Sequence, residues 1–178
     1  MLIRKTKFDK LFIIIKKPFV DKRGYFLRDY CSSELKKINF SIKQVNISYN
    51  KKKYTLRGFH YQNKPFEEDK IITCLSGEIL NVCIDLRKKS KTYLKVFKKN
   101  LTKNSFQSLH VPAGFANAYL TLKPNTKILY YMSKYFKPKF GRGFRFDDPF
   151  FNITWPQKPK IISKKDLSYI NFTKLKKF

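Results

Sequence analysis

Apolar residues in this chain come in short runs, each broken by a turn signal before it could complete three turns of helix. Runs that read as strands cover residues 11–15, 25–30, 43–49, 55–62, 71–75, 78–86, 94–101, 106–111, 116–122 and 127–134. They are rich in Ile, Val, Phe, Tyr and Thr, side chains that suit a pleated, half-buried surface. Between them stand "DKRG" at 21–24, "NKKK" at 50–53, "SG" at 76–77, "PAG" at 112–114 and "KPN" at 123–125, residues that set turns. "LSGEIL" reads as a tight hairpin around Ser76 and Gly77. One helix is expected, "SSELKKI" at 32–38, with Ser32 or Ser33 as its N-cap. No repeat of about 20–50 residues and no linker-like stretch interrupts the pattern. Closely spaced strands with one short helix predict an all-β sandwich or barrel.

Length and composition narrow the picture. A chain of 178 residues is expected to form one domain over 1–178, with a core over about 10–156 and the segment 157–178 packing back on it through "IISKKD". Hydrophobic residues at 42% and aromatics at 17% exclude a disordered chain. The formal net charge of +28 invites a nucleic-acid reading, but only 7 of the 40 basic residues are Arg. The 33 lysines are spread over the chain, which is also rich in the Ile, Phe, Tyr and Asn that AT-rich codons specify. That distribution argues for solvated lysine faces and against nucleic acid as a partner, which calls for a basic stripe with arginines at reading positions. A positive surface would still draw anionic small molecules towards a cleft. Cys31, Cys74 and Cys83 form no CxxC pair, and their odd number fits a reducing cytoplasm. The N-terminal apolar run 11–15 is too short for a signal core or a membrane span, so a soluble, cytoplasmic protein is expected.

Candidate chemistry centres on "TLRGFHYQ" (55–62), which holds one of only two histidines. Period-two alternation puts Leu56, Gly58, His60 and Gln62 on one face, and Arg57, Phe59 and Tyr61 on the other. His60 could be a hydrogen-bonded structural ring, a metal ligand or a proton-transfer base. A transition metal usually needs three or more His, Cys or carboxylate ligands, and no HxH pair exists here. "PAGFANAY" (112–119) has the PxGxxH form of a metal-binding cupin's second motif, with Asn117 where the histidine ligand would stand. No metal is expected.

Ten motifs stand in order along the chain: "DKRGYF" (21–26), "QVNIS" (44–48), "TLRGFHYQ" (55–62), "EEDKII" (67–72), "GEILNVCIDLR" (77–87), "VPAGFANAYL" (111–120), "ILYYMSKYF" (128–136), "RGFRFDDP" (142–149), "ITWP" (153–156) and "ISKKD" (162–166). Together they resemble the dTDP-4-dehydrorhamnose 3,5-epimerase family, cupin-like jelly rolls acting on nucleotide-linked 4-keto-6-deoxy sugars. The resemblance implies an all-β jelly roll with one or two short helices. It implies His60 as the general base, Asp166 as its carboxylate partner, Tyr130 as proton donor to the opposite sugar face, and Lys70 beside the oxygen that gains charge. Arg23, Phe26, Gln44, Asn46 and Arg57 would meet the nucleotide and its phosphates, and Asn117 would face the sugar. No cofactor is implied. A homodimer is, with the N-terminal strands crossing to lend the arginine of "RGYF" to the neighbour's site.

The chain also departs from the family pattern. Asn117 replaces the histidine of the PxGFAHG turn, and Asn81 falls where many members carry aspartate. Those two changes read as linked, because a carboxylate that supports an imidazole is unnecessary once the imidazole is gone. Arg28 lies where an acidic residue is common, and Phe136 where a second tyrosine is. Proton abstraction is expected to survive; whether C3, C5 or both are inverted is left open. The rival readings are a single-centre 3-epimerase or 3,4-ketoisomerase, and, in another class, a non-catalytic basic β-barrel binding nucleic acid or acidic glycan.

Overall fold

The computed structural model describes residues 1–175. Its strands are β1 (Leu2–Lys5), β2 (Phe12–Ile15), β3 (Phe19–Asp21), β4 (Gly24–Phe26), β5 (Gln44–Asn50), β6 (Thr55–Gln62), β7 (Lys70–Ser76), β8 (Glu78–Asp85), β9 (Val96–Thr102), β10 (Gln107–Val111), β11 (Phe115–Thr121), β12 (Thr126–Met132), β13 (Gly141–Gly143) and β14 (Ile161–Ile162). Two short α-helices join them, α1 (Ser32–Leu35) and α2 (Lys164–Ser168). One sheet runs β1-β2-β10-β7-β12-β5; the facing one runs β13-β6-β11-β8-β9, with β14 added in parallel to β6. This is a jelly-roll sandwich.

Alternation along the strands sorts side chains into three apolar layers. Leu11, Ile72, Ile79, Cys83, Leu109, Phe115 and Ile128 fill the space between the sheets. On the outer face of the second sheet, Phe59, Val82, Ile84, Ala118 and Phe144 are covered by Phe151, Trp155 and Phe172 from the C-terminal segment. On the outer face of the first, Ile14 and Ile71 pack under Leu35 and Phe40. The C-terminal segment is held further by Asp148, which accepts from the Phe172 N–H at 2.5 Å. Of the expected segment 157–178, residues 176–178 lie outside the described residues.

Several expectations need correction. "LSGEIL" is not a hairpin: β7 and β8 belong to different sheets, so Gly77 turns a corner of the sandwich. Gly77 sits at φ +76°, and a Cβ there would lie 2.2 Å from Thr126 Oγ1. The first helix is capped by neither serine. Its N-cap is Cys31, which makes no side-chain cap bond, and Ser33 Oγ contacts Cys31 Sγ at 3.1 Å instead. The strand expected at 25–30 is shorter and pairs only with β3, forming a ribbon apart from both sheets.

That ribbon leaves the sandwich at Lys16 and returns at Asp29, and the two close its base. Lys16 is buried and its ammonium pairs with Asp29, while Asp29 Oδ2 accepts from the Tyr131 hydroxyl at 2.9 Å. Burial pulls the Lys16 ammonium below its ordinary pKa, with Asp29 opposing. Outside this clamp Phe19, Val20, Tyr25 and Phe26 are largely exposed, with Tyr25 set edge-on against Phe106 at 5.1 Å between centroids.

Candidate active site

A cavity of about 550 Å³ opens between the sheets at the end where β6, β7, β11 and β12 meet. Eight of the ten expected site residues line it: Gln44, Asn46, Arg57, His60, Lys70, Asn117, Tyr130 and Asp166. The other two, Arg23 and Phe26, lie on the exposed ribbon and do not line it. Arg23 is held there by Asp21, with Nη2 donating to Oδ2 at 2.7 Å.

A bulge shapes the wall. Across β6 and β11, Asn117 pairs with His60 and Tyr119 with Arg57, so three steps on β6 oppose two on β11. The extra residue breaks the expected alternation: Arg57 and His60 both face the cavity, while Phe59 points into the outer layer. Gly58 makes the bulge possible. Its φ is +118°, and a Cβ would lie 2.6 Å from Ala118 Cα, Ala118 Cβ and Asn117 O.

The same bulge turns the Gly58 N–H towards Asp166, whose Oδ2 accepts from it at 3.3 Å. The other carboxylate oxygen meets His60 Nε2 at 2.6 Å. Asp166 stands in the first turn of α2, where its N–H donates to the N-cap Ser163 Oγ at 3.0 Å. Burial pushes its pKa up, but the bonds from His60, Gly58 and Ser163 outweigh that and hold the carboxyl below its ordinary range. A carboxylate accepts only, so Nε2 carries a proton, and in the neutral ring Nδ1 is the nitrogen with the free lone pair. The His60 side chain is 42% exposed while Asp166 is buried, as a base open to the cavity requires. Tyr169 sets its ring edge-on to His60, centroids 6.0 Å apart.

The opposite wall belongs to the other sheet. Tyr130 on β12 packs near Tyr119, ring centroids 6.5 Å apart. Burial pushes its phenol well above its ordinary pKa, Tyr119 adds to this and Arg57 opposes it, so Tyr130 holds its proton. Lys70, on β7 beside β12, also lines the cavity, its ammonium 2.8 Å from Glu68 Oε1, and Gln62 donates to Glu68 Oε2 at 2.8 Å. Arg57 Nε donates to Asn50 Oδ1 at 3.1 Å, and Gln44 Nε2 to Asn46 Oδ1 at 3.1 Å.

Asn117 and Asn81, linked on paper, touch in the fold: Asn117 Nδ2 donates to Asn81 Oδ1 at 3.0 Å. His110, the other histidine, lies outside the cavity with Nδ1 on the Lys10 carbonyl and Nε2 on Asp69. Among the described residues no group of three or more His, Cys, Asp or Glu is placed to hold a metal ion, and no helix is long and apolar enough to cross a membrane. Cavity residues that the motifs did not single out include Ser48, Glu68, Tyr119, Arg142 and Tyr169. Ser48, Glu68, Tyr119 and Arg142 stand inside quoted motifs; Tyr169, in "LSYI", carries no signal of its own.

A carboxylate-backed imidazole and a protonated phenol, facing each other from the two sheets of a jelly roll, define an acid–base isomerase. A sequence model of the family described as dTDP-4-dehydrorhamnose 3,5-epimerase matches residues 5–174, and the chain belongs to that family. The enzyme of that name from Sinorhizobium fredii is 34% identical over 159 residues, covering 88% of this chain and 82% of its own. The crystal structure of the Bacillus anthracis enzyme, with TDP and PPi bound, superposes with a TM-score of 0.92 at 31% identity, covering 96% of this chain and 98% of that one. The Legionella pneumophila epimerase, in complex with dTDP-4-keto-L-rhamnose, gives a TM-score of 0.91 at 26% identity, covering 98% and 94%.

Proposed function

We propose that this protein inverts C3 and C5 of dTDP-4-dehydro-6-deoxy-D-glucose, within one catalytic domain over 1–178, in the making of dTDP-rhamnose or a related deoxysugar for surface polysaccharide. The observation that carries the roles is His60 on one sheet, backed by Asp166 from α2, with Tyr130 on the other sheet. The C4 ketone acidifies the C3 and C5 hydrogens, because the carbanion delocalises into an enolate. His60 Nδ1 takes the proton, and Asp166 fixes the tautomer and stabilises the imidazolium that forms. Lys70 meets the enolate oxygen, Asn117 faces the sugar, and Tyr130 returns a proton from the opposite face. The step needs no metal or organic cofactor. Arg57, Gln44 and Asn46 line the path for the nucleotide diphosphate, where an arginine fork can bind two oxygens.

The working unit is a homodimer. The ribbon would carry Arg23 and Phe26 to the partner's cavity, and the edge strand β5 supports it with an exposed outer face of Val45, Ile47 and Tyr49. The three free cysteines fit a cytoplasmic site of action. Incubation with dTDP-4-keto-6-deoxyglucose in D₂O, followed by NMR, tests the reading. Deuterium at both C3 and C5 is expected. Uptake at one carbon would move the assignment to a single-centre epimerase, the reading that the Asn117–Asn81 pair favours. Uptake at neither would overturn it.

A further inference from the structure

Asn117 stands directly across from His60 in the β6–β11 ladder, at the cavity wall. Its amide nitrogen is fully engaged from beneath. Nδ2 donates to Asn81 Oδ1 at 3.0 Å and to the Val82 carbonyl at 3.2 Å, and lies 3.4 Å from Cys83 Sγ. The Val82 carbonyl can only accept, so the amide cannot be turned over without setting two oxygens against each other. Asn81 is itself fixed, since it is buried and its Nδ2 donates to Cys83 Sγ at 3.2 Å. Burial pushes the Cys83 thiol up to about 12, with the two amides and Lys70 opposing, so the sulfur stays a neutral thiol under the pair. That leaves Asn117 Oδ1 as the group of this amide for a ligand, on a residue that lines the cavity.

We infer that Asn117 is a specificity residue whose locked amide presents a hydrogen-bond acceptor, and no donor, to the sugar, so that it takes a ring hydroxyl of the substrate. The inference rests on the epimerase reading above. It follows that Asn117 gives the enolate oxygen no help, and that Lys70 carries that charge among the groups beside His60. A neutral acceptor orients the sugar through an O–H group next to the reacting carbon.

Hydroxyl-deletion analogues test this. The 2-deoxy and 3-deoxy forms of dTDP-4-keto-6-deoxyglucose would be compared with the intact sugar, each read by deuterium uptake at C5. In the wild type one analogue is expected to lose about tenfold or more in kcat/KM, since an acceptor left unpaired in a closed site is costly. In Asn117→Ala that loss should shrink below about twofold, because the oxygen that the hydroxyl met is gone. Asn117→Ser, which keeps a short acceptor, should restore part of it, and thermal melts would establish that both variants are folded. A tenfold loss that persists in Asn117→Ala, or equal rates for all three sugars in the wild type, would overturn the inference and leave the epimerase reading intact. If the intact sugar takes up no deuterium in the wild type, the epimerase reading falls and this inference with it.

Discussion

In the mechanism proposed above, Lys70 and Tyr130 divide the labour at the level of single side chains. Lys70 is a point charge held by Glu68 inside a half-enclosed cavity, where charge stabilisation is stronger than in water. Lys70→Met removes that charge with little change of volume, and turnover should fall ~10²–10³-fold while the fold survives. A rate within about threefold of wild type by NMR would remove Lys70 from the mechanism. Tyr130→Phe separates two steps that are otherwise one. His60 can still take a proton and return deuterium from the same face, so label should enter without inversion. Appearance of the epimer at the wild-type rate in that variant would assign the second proton to another group, with Tyr119 and Tyr169 the phenols at hand.

Among the elements, β6 bears the most constraint, because its bulge aims Arg57 and His60 into one cavity and offers the Gly58 N–H to Asp166. Gly58→Ala places a methyl against the backbone of β11 and forces an L-residue into φ +118°. It should cost about 1–3 kcal/mol and lower the melting temperature by several degrees. An unchanged melt would mean the two strands can part without penalty. The bulge also shows where sequence reading stops. The strand 55–62 was legible from its apolar residues and flanking turns, and its ends match β6. Its alternation was not, because a bulge depends on how the partner strand pairs, which no local pattern encodes. The same holds at Gly77, where Ser-Gly between two apolar runs looks identical whether the strands pair or part to separate sheets. The resemblance located His60, Lys70, Tyr130 and Asp166 through motif order. It could not locate Tyr169, since its place beside His60 follows from how α2 docks. Strands of two to four residues, such as β1, β13 and β14, are too short for any periodicity to register.

For the whole molecule, three carboxylates set the response to acid: Asp69 and Asp166 tie distant parts of the chain together, and Asp85 holds a local loop. Asp69 binds His110 and the Ala113 N–H; Asp85 binds Arg87, Ser90 and Thr92; Asp166 binds His60, Gly58 and Ser163. In each, burial raises the pKa but the bonds outweigh it, so the folded value lies below the ordinary 3.8. The unfolded chain then binds more protons over that interval, so stability is present above pH 3.8 and drains away as pH falls through the folded values. Urea midpoints at about pH 5, 4 and 3 should drop steeply in the wild type and less steeply in Asp85→Asn. Parallel curves would place the acid sensitivity elsewhere. Assembly belongs to this scale too. Ile47 and Phe26 are 65% and 70% exposed in one chain, an arrangement that favours a second copy as cover. If the proposed dimer uses this face and lends Arg23 to its partner, Ile47→Asp with Phe26→Asp should yield a monomer by light scattering and lose activity; an unaltered dimer would place the interface on another face.

The His60–Asp166 bond joins residues 106 positions apart, and the carboxylate lies on α2, the last α-helix of the described chain. Every strand of the two sheets except β14, with His60 and Tyr130 among them, lies before residue 150. Shape and chemistry are therefore drawn from different stretches of chain: the strands build the walls, and the His60–Asp166 pair is complete only when α2 docks against β6. A variant that keeps its sheets but fails to seat α2 would hold an unbacked imidazole, slow to deprotonate a sugar.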